Sequence, residues 1–178
     1  MARLSATVFC DESKARGFVL AASYVPSHDV SRLRGVVTGL MLRRQVRIHF
    51  RREDDDRKER ILAALIEAQC ISTTVYDAAR HSDKTGRDIA IGRMTDDAAQ
   101  LQAVRIVVET DDSAKAMDKL IIARRLAIAG RERLTSFHHM RASEERLLAI
   151  PDTVAWCYAK GGSWRRRAES LIKEVIAL

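Results

Sequence analysis

Runs rich in β-branched residues alternate along this chain with stretches whose apolar residues recur every three or four positions, and that alternation points to an α/β fold. Residues 4–10, 18–25, 71–76, 104–109 and 134–139 read as strands. Helical spacing appears at Val30, Leu33, Val36, Val37, Leu40 and Met41, then at Ile61, Leu62, Leu65 and Ile66. It recurs loosely at Ile89, Ile91, Met94, Ala98 and Leu101, and again at Met117, Leu120, Ile121, Arg124 and Ile128. The expectation is a central sheet of about five strands flanked by helices. With no repeat, low-complexity tract or linker in the sequence, residues 1–178 read as a single domain.

Two of these strands end in acids. On the first, Ser5, Thr7, Phe9 and Asp11 project to one side, so the Asp11 carboxylate shares a face with a large aromatic and is partly desolvated. An ionised carboxylate there must be neutralised, hydrogen-bonded or bound to a cation. A divalent metal is the functional reading, and a turn cap before the next strand is the alternative. The 104–109 strand repeats the device, ending at Glu109 with Asp111 and Asp112 just beyond. A third acid, Asp152, interrupts the apolar stretch 147–159, where helical spacing groups it with Ala155, Trp156 and Ala159. Placement in the first turn after Pro151, where the helix dipole favours an acid, is the competing reading of Asp152. If the two acid-tipped strands are parallel neighbours, their carboxylates stand roughly 5 Å apart, a separation that one or two metal ions bridge.

The chain carries 31 Lys and Arg against 24 Asp and Glu, a formal +7 that favours polyanionic partners. Lys160 leads through Gly161 and Gly162 to Ser163, Trp164, Arg165, Arg166 and Arg167, read as the start of a final amphipathic helix with Ala168, Leu171, Ile172, Val175 and Ile176 inward. Three arginines in a first turn oppose the dipole, which suggests phosphate binding there; contact with the acids Asp54, Asp55 and Asp56 is the other account. Arg43, Arg44, Arg47, Arg51 and Arg52 add material for a nucleic-acid groove, while 5% aromatic content argues against base stacking as the main mode. The acidic run 53–56 itself reads as a solvated helix start that needs no ligand. Cys10, Cys70 and Cys157 are odd in number and contain no CxxC pair, which disfavours a disulfide framework or a zinc cluster. A reducing, cytoplasmic setting follows, with no membrane association, since residues 1–4 lead straight into a strand without an apolar leader.

The segments Phe9-Cys10-Asp11-Glu12-Ser13, His49-Phe50, Val107-Val108-Glu109 and Glu144 to Trp156, with its Pro151-Asp152-Thr153-Val154-Ala155-Trp156 box, resemble the uncharacterised domain-of-unknown-function 3800 family over nearly the whole chain. The resemblance implies a ribonuclease H-like mixed central sheet whose first and fourth strands carry acids and whose last helix supplies another. It further implies Asp11, Glu109 and Asp152 as metal ligands, with Glu12 auxiliary; as the catalytic acids of a hydrolase their hard oxygens would hold Mg²⁺ or Mn²⁺ rather than zinc. His139 matches a His that recurs near the last strand in the family; the alternative is a surface or hydrogen-bonded imidazole. In one respect the chain departs from ribonuclease H proper: the helix over 30–41 offers only Asp29, at its start, where that enzyme takes another carboxylate.

Two functions therefore stand as expectations. One is a metal-dependent phosphodiester hydrolase acting on RNA or DNA, with Lys160, Arg165, Arg166 and Arg167 holding the nucleic acid. The other is a catalytically degenerate ribonuclease H-like module that binds nucleic acid or protein. A weaker third has the apolar last helices joining copies into a homo-oligomer.

Overall fold

The computed structural model describes residues 5–178; Leu4, the expected first strand residue, and the rest of segment 1–4 lie outside it. Strand β1 (Ala6–Ser13) turns back into β2 (Phe18–Pro26), and the two pair antiparallel from Ala6 opposite Pro26 to Ser13 opposite Val19. The turn depends on Gly17, whose φ is +89° and where a Cβ would lie 2.6 Å from the Ala79 Cβ. After helix α1 (Val30–Leu40) and helix α2 (Asp55–Glu67), β3 (Ser72–Ala78) adds antiparallel to β2. The start of α2 bears out the reading of the acidic run: the Asp54 side chain caps it by accepting from the Arg57 backbone N–H, and Asp55 and Asp56 occupy the first turn.

Helix α3 (Asp83–Gln100) crosses to β4 (Arg105–Glu109), which lies parallel to β1; helix α4 (Lys115–Ile128) then leads to β5 (Ser136–Met140), parallel to β4. Helix α5 (Ala149–Lys160) carries Pro151 in its first turn, where the missing N–H costs nothing, and packs across β1 and β2. The short helix α6 (Gly162–Arg167) precedes β6 (Ile172–Ala177), which pairs parallel with β3 and completes the sheet order β5-β4-β1-β2-β3-β6. The sheet is mixed and has six strands, one more than expected.

The extra strand replaces the expected final helix. The helix ends at Arg167, and a register shift between Thr73 and Thr74 lets β6 take Glu174 directly after Ile172 on the ladder. With that residue skipped, Ile172 packs on one face of the sheet and Ile176 on the other. Apolar pairs at 171–172 and 175–176 have helical spacing, yet Ile172 and Ile176 here face opposite sides of the sheet. The same correction moves Arg165, Arg166 and Arg167 from a first turn to a last turn, where cations suit the dipole. Ser163 does not cap this helix; Gly161, at φ +74°, stands at its N-cap. Ile48 and His49 lie in a loop that leads into a single 3₁₀ turn, Phe50–Arg52.

Strand alternation divides the core in two. Phe9, Val19, Ala21, Val75 and Val107 face the layer of α1, α2 and α5, whereas Val8, Cys10, Leu20, Tyr76 and Val108 face α3 and α4. Among the described residues, no helix is long and apolar enough to cross a membrane.

Candidate functional site

Asp11 and Glu109 end on the same face because each is an even number of residues beyond a residue of the α5-side core, Phe9 and Val107 respectively. Since Cys10 pairs with Val108 on the parallel β1 and β4, Asp11 and Glu109 stand one step past the last paired position, on neighbouring strand tips. Asp152, in the first turn of α5, completes the group: all three acids line one cleft of about 510 Å³ together with Arg47, His49 and the loop from Thr110 to Ser113.

Each acid is partly engaged by protein donors. The Glu12 backbone N–H donates to Asp11 Oδ1 at 2.7 Å, and Arg47 Nη1 donates to Glu109 Oε1 at 2.6 Å. Asp152 Oδ2 accepts from the Phe50 backbone N–H at 2.8 Å and lies 3.4 Å from His49 Nδ1. Asp11 is the strained member. Burial pushes its carboxyl well above the usual carboxylate range, and the charges of Asp152 and Glu109, the latter within hydrogen-bonding reach, push it the same way. An added positive charge would relieve that cost, and three hard oxygen donors suit Mg²⁺ or Mn²⁺ better than zinc. Their chemistry fits such an ion, but the side chains are not closed around one: among the described residues, no three His, Cys, Asp or Glu groups stand as a ready metal cage.

Glu12, on the opposite face of β1, points toward α3. Its Oε2 lies 2.8 Å from Arg87 Nη1, and its Oε1 is 3.4 Å from Lys14 Nζ, so it borders the cleft while already paired. His139 is not brought to the cleft. Paired opposite Val108, it faces α3 and α4, where its fully buried side chain meets Asp118 Oδ2 at 3.1 Å. The hydrogen-bonded alternative for this imidazole is the one observed. Lys160 lines a groove adjoining the cleft, but the three arginines of α6 are elsewhere: Arg165 stacks over the Tyr158 ring, and Arg167 stacks over Trp164 and pairs with Glu59. None of them meets the acids Asp54, Asp55 or Asp56.

Sequence reasoning missed Arg47 as the partner of Glu109 and Asp111 as part of the cleft wall. The Asp111 carboxyl is lowered to about 2, chiefly by the Ser113 hydroxyl and further by Lys14. Its position two residues past an acid-tipped strand was the available signal.

No protein-family model matches the chain, and no curated protein matches it. Among solved structures, it is similar to the ribonuclease of the PCNA:RNase HII complex from Archaeoglobus fulgidus, with a TM-score of 0.57 and 17% sequence identity over 93% of this chain and 76% of that one. The α/β fold is thus ribonuclease H-like, with its mixed sheet of six strands flanked by helices.

Proposed function

We propose that this chain is a metal-dependent phosphodiester hydrolase acting on RNA or DNA. The observation that carries the reading is the meeting of Asp11, Glu109 and Asp152 in one cleft, with Asp11 destabilised as an anion. Those three residues would hold Mg²⁺ or Mn²⁺, which when bound supplies an acidified water and charge stabilisation for the leaving oxygen. The Phe50 N–H and His49 hold Asp152 in place, and the Glu12 N–H holds Asp11, so both carboxylates are positioned before any ligand arrives. Arg47 neutralises Glu109 and, on the cleft wall, is placed to donate to a phosphate oxygen.

A second reading, a degenerate module that binds without chemistry, is favoured by two observations. Arg47 already satisfies one acid, and α1 has no acid within it, Asp29 lying before it and paired with Arg32 at 2.7 Å. Titration calorimetry with Mn²⁺ and cleavage of labelled single-stranded, duplex and hybrid substrates separate the two. The hydrolase reading expects Mn²⁺ binding and cleavage by wild type, both lost in Asp11→Asn. Mn²⁺-independent binding of nucleic acid without cleavage selects the module.

A further inference from the structure

The carboxylate cleft does not stop at the acids. Glu12, His49 and Asp152 also line an adjoining groove of about 560 Å³ that runs on past Arg16, Arg51 and Lys160. These cations come from three separate segments: the β1–β2 turn, the 3₁₀ turn before α2, and the last residue of α5. All three are exposed, and among the described residues none forms an ion pair with a carboxylate. The groove's own acids are at its cleft end and engaged elsewhere, Glu12 with Arg87 and Asp152 with Phe50. The C-terminal end of α5 accounts for a cation at Lys160, and Arg16 reaches the same end, its Nη1 3.6 Å from where a Gly161 Cβ would stand. That account does not extend to Arg51, on a three-residue turn. Trp156 lines the same groove, half-buried, held edge-on by Phe50 at 5.3 Å and Trp164 at 5.6 Å and with Lys58 Nζ over its ring at 5.1 Å. A site for free phosphate has no use for a fixed aromatic wall, whereas sugars and bases between phosphates do.

We propose that this groove binds the backbone of a nucleic-acid strand, with Arg16, Arg51 and Lys160 as its phosphate contacts and the strand leading into the carboxylate cleft. The assignment rests on the hydrolase reading only for what the strand meets at the far end. It also moves the nucleic-acid surface away from Arg165 and Arg166, which line a different pocket with Glu169 and Ile172.

Fluorescence anisotropy of a labelled single-stranded oligonucleotide in EDTA tests it, measured as affinity against salt. Each lost phosphate contact flattens the logarithmic salt slope by about 0.7 on a single strand, so Arg16→Ala/Arg51→Ala/Lys160→Ala should flatten it by about 2. Over a fourfold rise in salt, wild type then loses about 20-fold more affinity than the variant. Arg165→Ala/Arg166→Ala should leave the slope unchanged, and the single reversal Arg51→Glu should weaken binding if the triple variant folds poorly. No binding by wild type, an unchanged slope in the folded triple variant, or a slope lost instead in the α6 variant overturns the proposal. Failure of the hydrolase reading looks different: no metal-dependent cleavage by wild type, with the groove's salt slope intact.

Discussion

Asp118 is fully buried and receives Arg87 through two parallel bonds, Nε to Oδ1 at 3.0 Å and Nη2 to Oδ2 at 2.8 Å, while Arg87 is itself 3% exposed. Asp118→Leu leaves the guanidinium buried with only Glu12 at 2.8 Å and Asp111 at 4.0 Å as counter-charges. Removing one partner of such a pair costs about 3–5 kcal/mol, a large share of the roughly 5–15 kcal/mol that holds a domain folded. For a chain of this length that corresponds to a fall in Tm of about 6–20 °C. Arg87→Met should cost about as much, whereas the double variant Arg87→Met/Asp118→Leu should recover much of the loss, because no charge is then left buried. Urea denaturation of the four proteins closes the cycle. Single-variant losses below about 1 kcal/mol, or losses that simply add, would refute the claim that the pair acts as a unit. The pH dependence has a defined sign. Burial pushes the Asp118 carboxyl up, but the bonds from His139 and Arg87 outweigh it and hold the group below its ordinary value. Its contribution is therefore present above the ordinary carboxylate pKa and is lost as pH falls through the lowered one, and this acid limb should be missing in the double variant.

Asp11→Asn removes a disfavoured buried charge and should stabilise the metal-free protein by about 0.5–2 kcal/mol in thermal melts with EDTA, although it disables the proposed site; a lowered Tm would count against Asp11 being strained. Ser113→Ala should raise the Asp111 carboxyl from about 2 toward its ordinary 3.8, as followed by NMR titration, since the Ser113 hydroxyl is the largest cause of the lowering. The stability linked to Asp111 is present above about 3.8 and lost as pH falls toward 2, so this variant should be less sensitive to acid in that window. Gly17→Ala places a Cβ 2.6 Å from the Ala79 Cβ at φ +89°, and should cost at least about 1–3 kcal/mol in urea denaturation while loosening the β1–β2 turn.

The two acid-tipped strands were legible because strand alternation is local: Phe9 and Asp11 lie on one face wherever β1 goes. The same rule places Glu12 on the other face, yet nothing local reveals that Arg87, seventy-five positions on, waits there. His139 looked catalytic by resemblance and lies buried on the opposite side of the sheet, because its face was set by pairing with Val108 rather than by its neighbours in sequence. The end of the chain departs from its helical pattern for a related reason, since the spacing of Ile172 and Ile176 suits a helix and the bulged pairing that makes β6 a strand exists only when β3 is beside it.

By itself, then, the order of residues determined the strands through β5, the helices through α5 and the faces on which Asp11, Glu109 and Asp152 lie, since these depend on periodicities a few residues long. Only the tertiary structure decided that β4 lies beside β1, that Arg47 reaches Glu109 and that the last helical pattern is a sheet edge. Such outcomes depend on which distant segments bury one another, and that free energy is carried by contacts between residues far apart in the chain.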